Sequence, residues 1–195
     1  VYYTVAYPTP MERQLFVSDF DGKNTKQLTA GSGWHSIEMN EDFTQFYDKH
    51  STVTTPQVVS LYKTVRSKKG VNAIKEKTTT ENSNLKNLMA QYALGVPEFI
   101  KIPNSKGDSL NAWILRPHNF DASKKYPVLF YNYGGPGSQY VKNQFGAVNF
   151  WHQFMAQNGF IVISVDNTGT GYRGEEFRKK TYLQLGKLEI EDQID

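Results

Sequence analysis

The stretch "PVLFYNYGGPGSQ", Pro127 to Gln139, decides the fold. In it an apolar run breaks into a tyrosine, two glycines, a proline and a further glycine. The pattern predicts a buried strand that ends in a loop where the backbone can approach a ligand closely, because glycine carries no side chain. In an open α/β sheet, functional groups gather in loops beyond the carboxyl ends of strands. The loop is therefore a candidate site, and the alternative is a plain strand-to-helix turn with a packing tyrosine.

The elements around this loop alternate. We predict a strand over Tyr126–Asn132, a helix around Phe150–Gln157, a strand over Phe160–Val165 and a helix that starts near Leu188. This order is typical of a parallel sheet with covering helices. Upstream, "PEFIKIPNSKGDSLNAWILRP" predicts two strands around a Lys-Gly-Asp turn.

The first part of the chain, up to about Thr80, is rich in strand-forming residues. "VYYTVAY", "QLFVSDF", "FTQFYDKHS" and "QVVSLYKTV" predict strands, and "DFDGKNTKQLT" predicts a hairpin with an Asp-Gly turn. We interpret "GSGWHS" as a loop. Strands at this spacing are typical of a sandwich, a barrel or propeller blades.

A connector helix should follow, since "ENSNLKNLMAQYALG" changes the apolar period to that of a helix. The predicted helix has a cap at Asn82 or Ser83 and a stop at Gly95. Its apolar stripe consists of Leu85, Leu88, Met89 and Tyr92.

The composition narrows the function. The 195 residues include 22 basic and 19 acidic ones, for a net charge of +3, and no cysteine. No disulfide, thiolate nucleophile or sulfur-ligated zinc is available. The basic runs "VRSKKG" and "RKK" predict solvated surface rather than a nucleic-acid site, and no segment has the roughly 18 apolar residues of a membrane span. We expect no cofactor, no metal and no nucleic-acid partner.

Nucleotide binding is a weaker alternative. "GTGYRG", Gly169 to Gly174, follows a predicted strand and has glycines at the first, third and sixth places of the dinucleotide fingerprint. However, a lone fingerprint is a weak signal, and the sequence stops before the following strand that would carry the expected acidic residue. The loop at Gly134 fits no phosphate-binding spacing.

Three stretches together resemble the dipeptidyl peptidase IV branch of the prolyl oligopeptidase family of serine peptidases. They are "KKYPVLFYNYGGPGSQ", "VDNTGTGYRGEEFRK" and "LGKLEIEDQID", in that family's order and spacing. The resemblance implies the N-terminal portion of an α/β-hydrolase sheet, preceded by antiparallel β strands from the end of a β-propeller. Residues 1–79 would belong to the propeller, and residues 80–195 to the connector helix and the catalytic domain.

The resemblance also implies a site and an activity. Tyr133 would be the oxyanion-hole residue, whose hydroxyl stabilises the tetrahedral oxyanion. The oxyanion loop would consist of Gly134, Gly135, Pro136, Gly137 and Ser138. The implied enzyme is a serine exopeptidase that releases dipeptides from peptide substrates with proline or alanine at the second position. It would be a homodimer, secreted or periplasmic.

No catalytic triad is expected in this chain. The fold places serine in a GxSxG elbow, followed by the acid and then the histidine, and no GxSxG occurs here. We therefore interpret the histidines as surface or strand-packing residues, and the late aspartates as structural. The histidines are His35, His50, His118 and His152, and the aspartates are Asp166, Asp192 and Asp195.

Structural roles can be assigned to some of these residues. Asp166 would end a strand and fix the "NTGTG" turn, while Glu189, Glu191 and Asp192 would lie at a helix start, where negative charge suits the helix dipole. Where relatives carry an arginine this chain has Thr168, and Arg173 is the nearby candidate to replace it.

The sequence thus predicts an internal fragment that is inactive by itself and that dimerises or is partly disordered near its C-terminus, because its sheet edge is unpaired. Two alternatives remain open. One is a non-catalytic interaction module of the same fold. The other is a sugar- or peptide-binding β module fused to a Rossmann-like domain.

Overall fold

The computed structural model describes residues 1–68 and 70–195, which form two compact units. The first unit comprises Val1–Gln91 and Lys142–Phe145, and the second comprises Tyr92–Val141 and Gly146–Asp195. The assignment of residues 1–79 to a propeller and 80–195 to a catalytic domain stays a prediction.

The first unit is built from antiparallel strands. One sheet has the order β1-β2-β3, and the other has the order β4-β5-β6-β7, in which every strand pairs with its neighbour in sequence. A four-stranded meander of this kind is consistent with propeller-like strands. The strands are β1 (Tyr2–Val5), β2 (Gln14–Val17), β3 (Lys26–Gln27), β4 (Trp34–Met39), β5 (Gln45–Ser51), β6 (Val58–Ser67) and β7 (Gly70–Thr80).

Two predictions in this unit have different outcomes. The hairpin across the Asp-Gly turn is confirmed, since Phe16 of β2 pairs with Gln27 of β3 and the Gly22 N–H donates to the Asp19 carbonyl. The loop predicted for "GSGWHS" is wrong in its second half, because Trp34 begins β4 and pairs with Ser51 of β5. The glycines before Trp34 are typical of a loop, but the strand forms because it pairs with β5.

The core of the first unit collects apolar side chains from both sheets. Phe46 is 1% exposed and stacks on Tyr62 at a ring-centroid distance of 5.1 Å. Burial of such rings is the main stabilising term, at about 25 cal/mol per Å² of apolar surface. The other buried members of the cluster are Leu15, Val17, Leu28 and Val71.

A short excursion of the chain, Lys142–Phe145, completes the first unit. The Asn143 N–H donates to the Met11 carbonyl at 2.9 Å, and the Asn143 side-chain oxygen accepts from the Val53 N–H at 3.0 Å. The Phe145 N–H donates to the Ser51 hydroxyl at 3.2 Å. These bonds join residues from late in the sequence to β5 and to the connecting segments at Met11 and Val53.

The connector helix α1 (Ser83–Met89) is shorter than predicted. Asn82 occupies the N-cap position, but its side chain donates to the Gln57 carbonyl and makes no cap bond. The helix ends before Tyr92, which is 61% exposed, so the predicted apolar stripe is not continued. The bond to Gln57 joins residues far apart in the sequence, so the local sequence pattern does not predict it.

The second unit contains one mixed sheet with the order β10-β11-β9-β8. The β10–β11 pair is parallel, with Val128 opposite Ile161, and α2 connects the two strands as a parallel pair requires. The other pairs are antiparallel, so the prediction of a parallel sheet holds only for β10 and β11. The elements are β8 (Glu98–Pro103), β9 (Ser109–Leu115), β10 (Val128–Phe130), α2 (Phe150–Gln157), β11 (Ile161–Asp166), α3 (Glu175–Lys179) and α4 (Lys187–Ile194).

The helix α2 has the bounds that the sequence predicts, because its cap is local. The Asn149 side-chain oxygen accepts from the His152 N–H, and His152 Nδ1 accepts from the Asn149 N–H, each at 3.1 Å. This capping box satisfies two backbone donors that would otherwise lack partners. His152 is fully buried on this helix, and its ring packs against Trp113 of β9 with ring centroids 5.2 Å apart, so its prediction as a strand-packing residue is confirmed.

The other histidines and the basic runs follow the sequence interpretation. His35 lies in β4 and His50 in β5, with rings stacked at 4.2 Å, and His118 is exposed. The side chains of the "RKK" run, at 178–180, are exposed, as are Arg66 and Lys68 of "VRSKKG"; Lys69 lies outside the described residues. None of the helices described is long and apolar enough to span a membrane.

Candidate functional site

The candidate loop begins where β10 ends. The Tyr131 N–H donates to the Ile163 carbonyl at 2.8 Å, which continues the parallel ladder one residue beyond the strand. The side chain of Asn132 then replaces the backbone, because its oxygen accepts from the Val165 N–H at 2.8 Å and its nitrogen donates to Gln193 at 2.6 Å. The chain therefore enters the loop at Tyr133 in a fixed direction.

Tyr133 projects from this loop into solvent with 69% of its surface exposed. Across residues 1–68 and 70–195, no group forms a hydrogen bond with its hydroxyl. The ring lies over the backbone of Gly135, where an added Cβ would be 2.6 Å from Tyr133 Cε1. Only glycine leaves room for the ring at that position, and the phenol remains available as a donor to a ligand.

The residues Gly135–Ser138 form a tight turn that explains their order. The Ser138 N–H donates to the Gly135 carbonyl at 3.0 Å, Pro136 is at the second place, and Gly137 is at the third with φ +73°. Proline at the second place and a positive-φ glycine at the third are typical of a type II turn. The Ser138 hydroxyl also donates to the Gly135 carbonyl, at 2.5 Å, so it serves the turn.

A second turn, Asn167–Gly171, is bonded to this loop. The Gly137 N–H donates to the Gly169 carbonyl at 2.9 Å, and the Gly171 N–H donates to the Ser138 carbonyl at 2.8 Å. An added Cβ at Gly171 would be 2.7 Å from the Gly137 carbonyl oxygen, so glycine is needed for this approach. The candidate loop is thus fixed along its length by the turn that follows β11.

Asn167 is the side chain that joins the two turns. It is 1% exposed, and its amide nitrogen donates to the Gly134 carbonyl at 3.0 Å and to the Thr168 carbonyl at 2.8 Å. Gly134 has φ +74°, and an added Cβ there would be 2.5 Å from the Asn167 side-chain oxygen. Sequence reasoning missed Asn167, although an asparagine directly after a strand and before a glycine-rich turn was the available signal.

Asp166 ends β11, as predicted, and its carboxylate orders the chain beyond the loop. It is 4% exposed and accepts from the N–H groups of Tyr140 at 2.8 Å and Val141 at 3.1 Å. The Tyr140 ring stacks on the Tyr133 ring, with centroids 5.9 Å apart and planes inclined by 12°. Asp166 therefore acts on the conformation of residues 140 and 141.

Asp192 bonds to the "NTGTG" turn. Its carboxylate accepts from the Thr168 N–H at 2.6 Å and from the Asn104 amide at 2.8 Å. Asp192 is 5% exposed and lies well inside α4, so its placement at a helix start is wrong. Glu189 does lie in the first turn, where it accepts from the Gly186 N–H at 3.0 Å.

Arg173 forms no ion pair with the described residues, so its predicted role as a substitute at Thr168 is not confirmed. Its guanidinium lies 3.8 Å from the centroid of the Phe177 ring. Burial lowers the pKa of Arg173, and the carboxylates of Asp108, Asp166 and Asp192 oppose that shift. The buried carboxylate of Asp192 accepts hydrogen bonds from two uncharged donors, the Thr168 N–H and the Asn104 amide.

Two histidines, His35 and His152, are buried and contact other side chains of the fold. Burial lowers the pKa of His152, whose ring contacts Tyr131 edge-on at 4.4 Å. In the first unit, His35 Nδ1 bonds to the Asp48 carboxylate at 2.9 Å. No sequence pattern predicts this pair, because it depends on the register of two strands. His35 Nε2 is buried and has no hydrogen-bond partner among the described groups.

The geometry also bears on the alternative of nucleotide binding. A phosphate-binding turn leaves its N–H groups free, but here the Thr168 N–H bonds to Asp192, the Thr170 N–H to Asn167 and the Gly171 N–H to Ser138. Within the described part of the chain, no three His, Cys, Asp or Glu side chains cluster as metal ligands would.

Comparisons with known proteins find similar sequences and a similar structure. Residues 147–195 match the model of the prolyl oligopeptidase family. The whole chain is 35% identical to a protein named probable dipeptidyl-aminopeptidase B from Paracoccidioides brasiliensis, and covers 21% of it. A probable dipeptidyl peptidase 4 from Emericella nidulans is 40% identical over 60% of the chain and 16% of its own length.

A solved structure is similar throughout. The crystal structure of Porphyromonas gingivalis dipeptidyl peptidase 4 matches all of the chain with a TM-score of 0.89 and 34% identity, over 26% of its own length. The chain spans about a fifth of the length of the dipeptidyl-aminopeptidases B that it matches over its whole length.

Proposed function

Because this chain belongs to the dipeptidyl peptidase IV branch of the prolyl oligopeptidase family, we propose that it forms part of a serine exopeptidase that releases dipeptides from the amino terminus of peptides. The preferred peptides have proline or alanine at the second position. The names of the similar proteins, dipeptidyl-aminopeptidase and dipeptidyl peptidase, support a peptidase of this type.

The role of this chain in the reaction is to supply the oxyanion-hole tyrosine. The observation that carries the proposal is that Tyr133 holds a solvent-exposed phenol on a loop fixed at Gly134 and Gly137. A donor held before the substrate arrives stabilises developing negative charge without reorganisation. The sheet β8–β11 would be the N-terminal portion of an α/β-hydrolase sheet, and β4–β7 would come from the end of a β-propeller.

The reaction is acyl transfer. A serine hydroxyl attacks the carbonyl carbon of the second residue while a histidine takes its proton, and the carbonyl oxygen becomes the oxyanion that accepts from Tyr133. The C–N bond then breaks, the proton passes to the leaving amine, and water releases the dipeptide from the acyl-enzyme. The serine, acid and histidine are not assigned to residues of this chain. The dimeric state and the secreted or periplasmic location stay predictions.

The test uses the purified full-length protein with a fluorogenic dipeptide substrate, Gly-Pro-aminomethylcoumarin, and with its N-acetylated form. We expect turnover of the free substrate and none of the acetylated one. Tyr133→Phe should lower kcat by about 10²- to 10³-fold with little change in KM, because the oxyanion exists only during reaction. Tyr92→Phe, which alters another exposed tyrosine after the connector helix, is the matched control.

Two results would contradict the proposal. Absence of dipeptide release by the full-length protein would favour a non-catalytic interaction module of the same fold. Turnover by residues 1–195 alone at rates above those of their Tyr133→Phe form would show that the reaction does not need a downstream triad.

A further inference from the structure

An exposed tyrosine is a poor donor unless something holds its ring. Tyr133 has 69% of its surface in solvent, and rotation about χ1 would carry its hydroxyl through several ångströms. Oxyanion stabilisation requires the donor to be placed before the charge develops. The contacts of the ring therefore matter as much as the presence of the hydroxyl.

Two neighbours restrict the ring. The backbone of Gly135 lies beneath it, as the distance of 2.6 Å from an added Cβ to Tyr133 Cε1 shows. Tyr140 supplies the aromatic contact, with ring centroids 5.9 Å apart and nearly parallel planes. This offset stacking is favoured between aromatic rings and specifies an orientation, which an aliphatic contact does not.

Tyr140 is itself fixed from the centre of the sheet. Its N–H donates to the Asp166 carboxylate at 2.8 Å, and its ring packs against Tyr131 at 5.7 Å. Asp166 is the last residue of β11, where it pairs with Asn111 of β9. A continuous line of contacts therefore runs from the buried strands through Asp166 and Tyr140 to the Tyr133 ring.

We propose that Tyr140 is a positioning residue for the reaction, which holds the Tyr133 ring so that its hydroxyl faces the oxyanion. The inference rests on the proposed function, which assigns Tyr133 and leaves open what orients it. It is the ring of Tyr140 that acts, through stacking, so phenylalanine can replace it and an aliphatic residue cannot.

A double-mutant cycle in the full-length protein tests this inference with the same fluorogenic substrate. The variants are Tyr140→Leu, Tyr140→Phe, Tyr133→Phe and the double variant Tyr133→Phe/Tyr140→Leu. Tyr140→Leu should lower kcat by about ten- to a hundredfold with KM little changed, as for a misplaced catalytic group. Tyr140→Phe should retain activity, and Tyr92→Leu is the exposed control.

The double variant separates positioning from packing. Without the Tyr133 hydroxyl there is no donor left to orient, so the double variant should be no slower than Tyr133→Phe alone. Full multiplication of the two single effects would overturn the inference, as would an unchanged kcat in Tyr140→Leu. If Tyr140→Leu does not fold, Tyr140→Met provides the same test with an unbranched side chain.

A measurement that does not depend on catalysis tests the positioning role of Tyr140 separately from the proposed function. If Tyr133→Phe leaves kcat unchanged, or no substrate is cleaved, the proposed function is wrong. Crystal structures of the wild-type protein and of Tyr140→Leu then decide about the positioning. Loss of a single Tyr133 ring orientation in the variant supports it, and an unaltered orientation overturns it.

Discussion

Replacement of Gly134 by alanine tests the connection between the loop after β10 and the turn after β11. Gly134 has φ +74°, a conformation that costs an alanine about 1–2 kcal/mol. The new Cβ would also be 2.5 Å from the Asn167 side-chain oxygen, so the amide must move. It then gives up its bonds to the Gly134 and Thr168 carbonyls, at about 1 kcal/mol each. The sum is about 3–4 kcal/mol.

Hydrogen exchange measures this loss where it occurs. The N–H groups of Gly137 and Gly171 bond across the two turns, so their exchange reports the opening of the connection. At 1.4 kcal/mol for each factor of ten, Gly134→Ala should speed their exchange by about a hundredfold or more. Peptides that span residues 135–141 and 167–173 carry these amides in mass spectrometry.

Two further variants isolate the cause. Gly146→Ala is the matched control, because Gly146 has φ +89° but its added Cβ would meet nothing within 4 Å; exchange at Gly137 and Gly171 should be little changed. In an Asn167→Ala background, Gly134→Ala should add only its backbone term, about 1–2 kcal/mol. The reasoning is refuted if Gly134→Ala leaves both amides protected as in the wild type, or if the control accelerates them equally.

Two other perturbations of the second unit have defined outcomes. Because burial lowers the pKa of His152, the unfolded state takes up its proton at a higher pH than the folded state, so stability falls as the pH drops below about 6.5 and levels off below the folded pKa. His152→Phe should therefore narrow the difference in urea midpoint between pH 7.5 and pH 5.5, and an unchanged difference would contradict this cause. Asp192→Ala leaves the Thr168 N–H and the Asn104 amide without their acceptor, so it should lower the free energy of urea unfolding by about 3 kcal/mol. The control Lys106→Ala breaks an exposed ion pair with Glu191 and should lower it by less than about 1 kcal/mol. Equal losses in these two variants would show that the buried carboxylate is not the stabilising group.

Elements with local causes could be predicted from the sequence. The N-terminal bound of α2 follows from the reciprocal bonds between Asn149 and His152, which lie in one four-residue segment and need no distant partner. The turn at Pro136 and Gly137 likewise depends on the φ preferences of its own residues. The hairpin of β8 and β9 needs only its Lys-Gly-Asp turn.

Features that depend on distant partners could not be predicted. Asparagine is a typical helix N-cap residue, yet the side chain of Asn82 donates to the Gln57 carbonyl instead. Asp192 bonds to Thr168, 24 residues away, and only the docking of α4 brings them together. The pairing of His35 with Asp48 and the stacking of Tyr133 on Tyr140 depend in the same way on register and loop course.

The excursion Lys142–Phe145 has a consequence for dissection of the molecule. A protease or a gene truncation that cuts once after Gln91 would yield two pieces, but neither would correspond to a unit of the fold. The N-terminal piece would lack the partner of the Val53 N–H, and the C-terminal piece would keep an Asn143 whose bonding groups were removed. The two units are therefore not contiguous in the gene, and recombination at this boundary would exchange incomplete units.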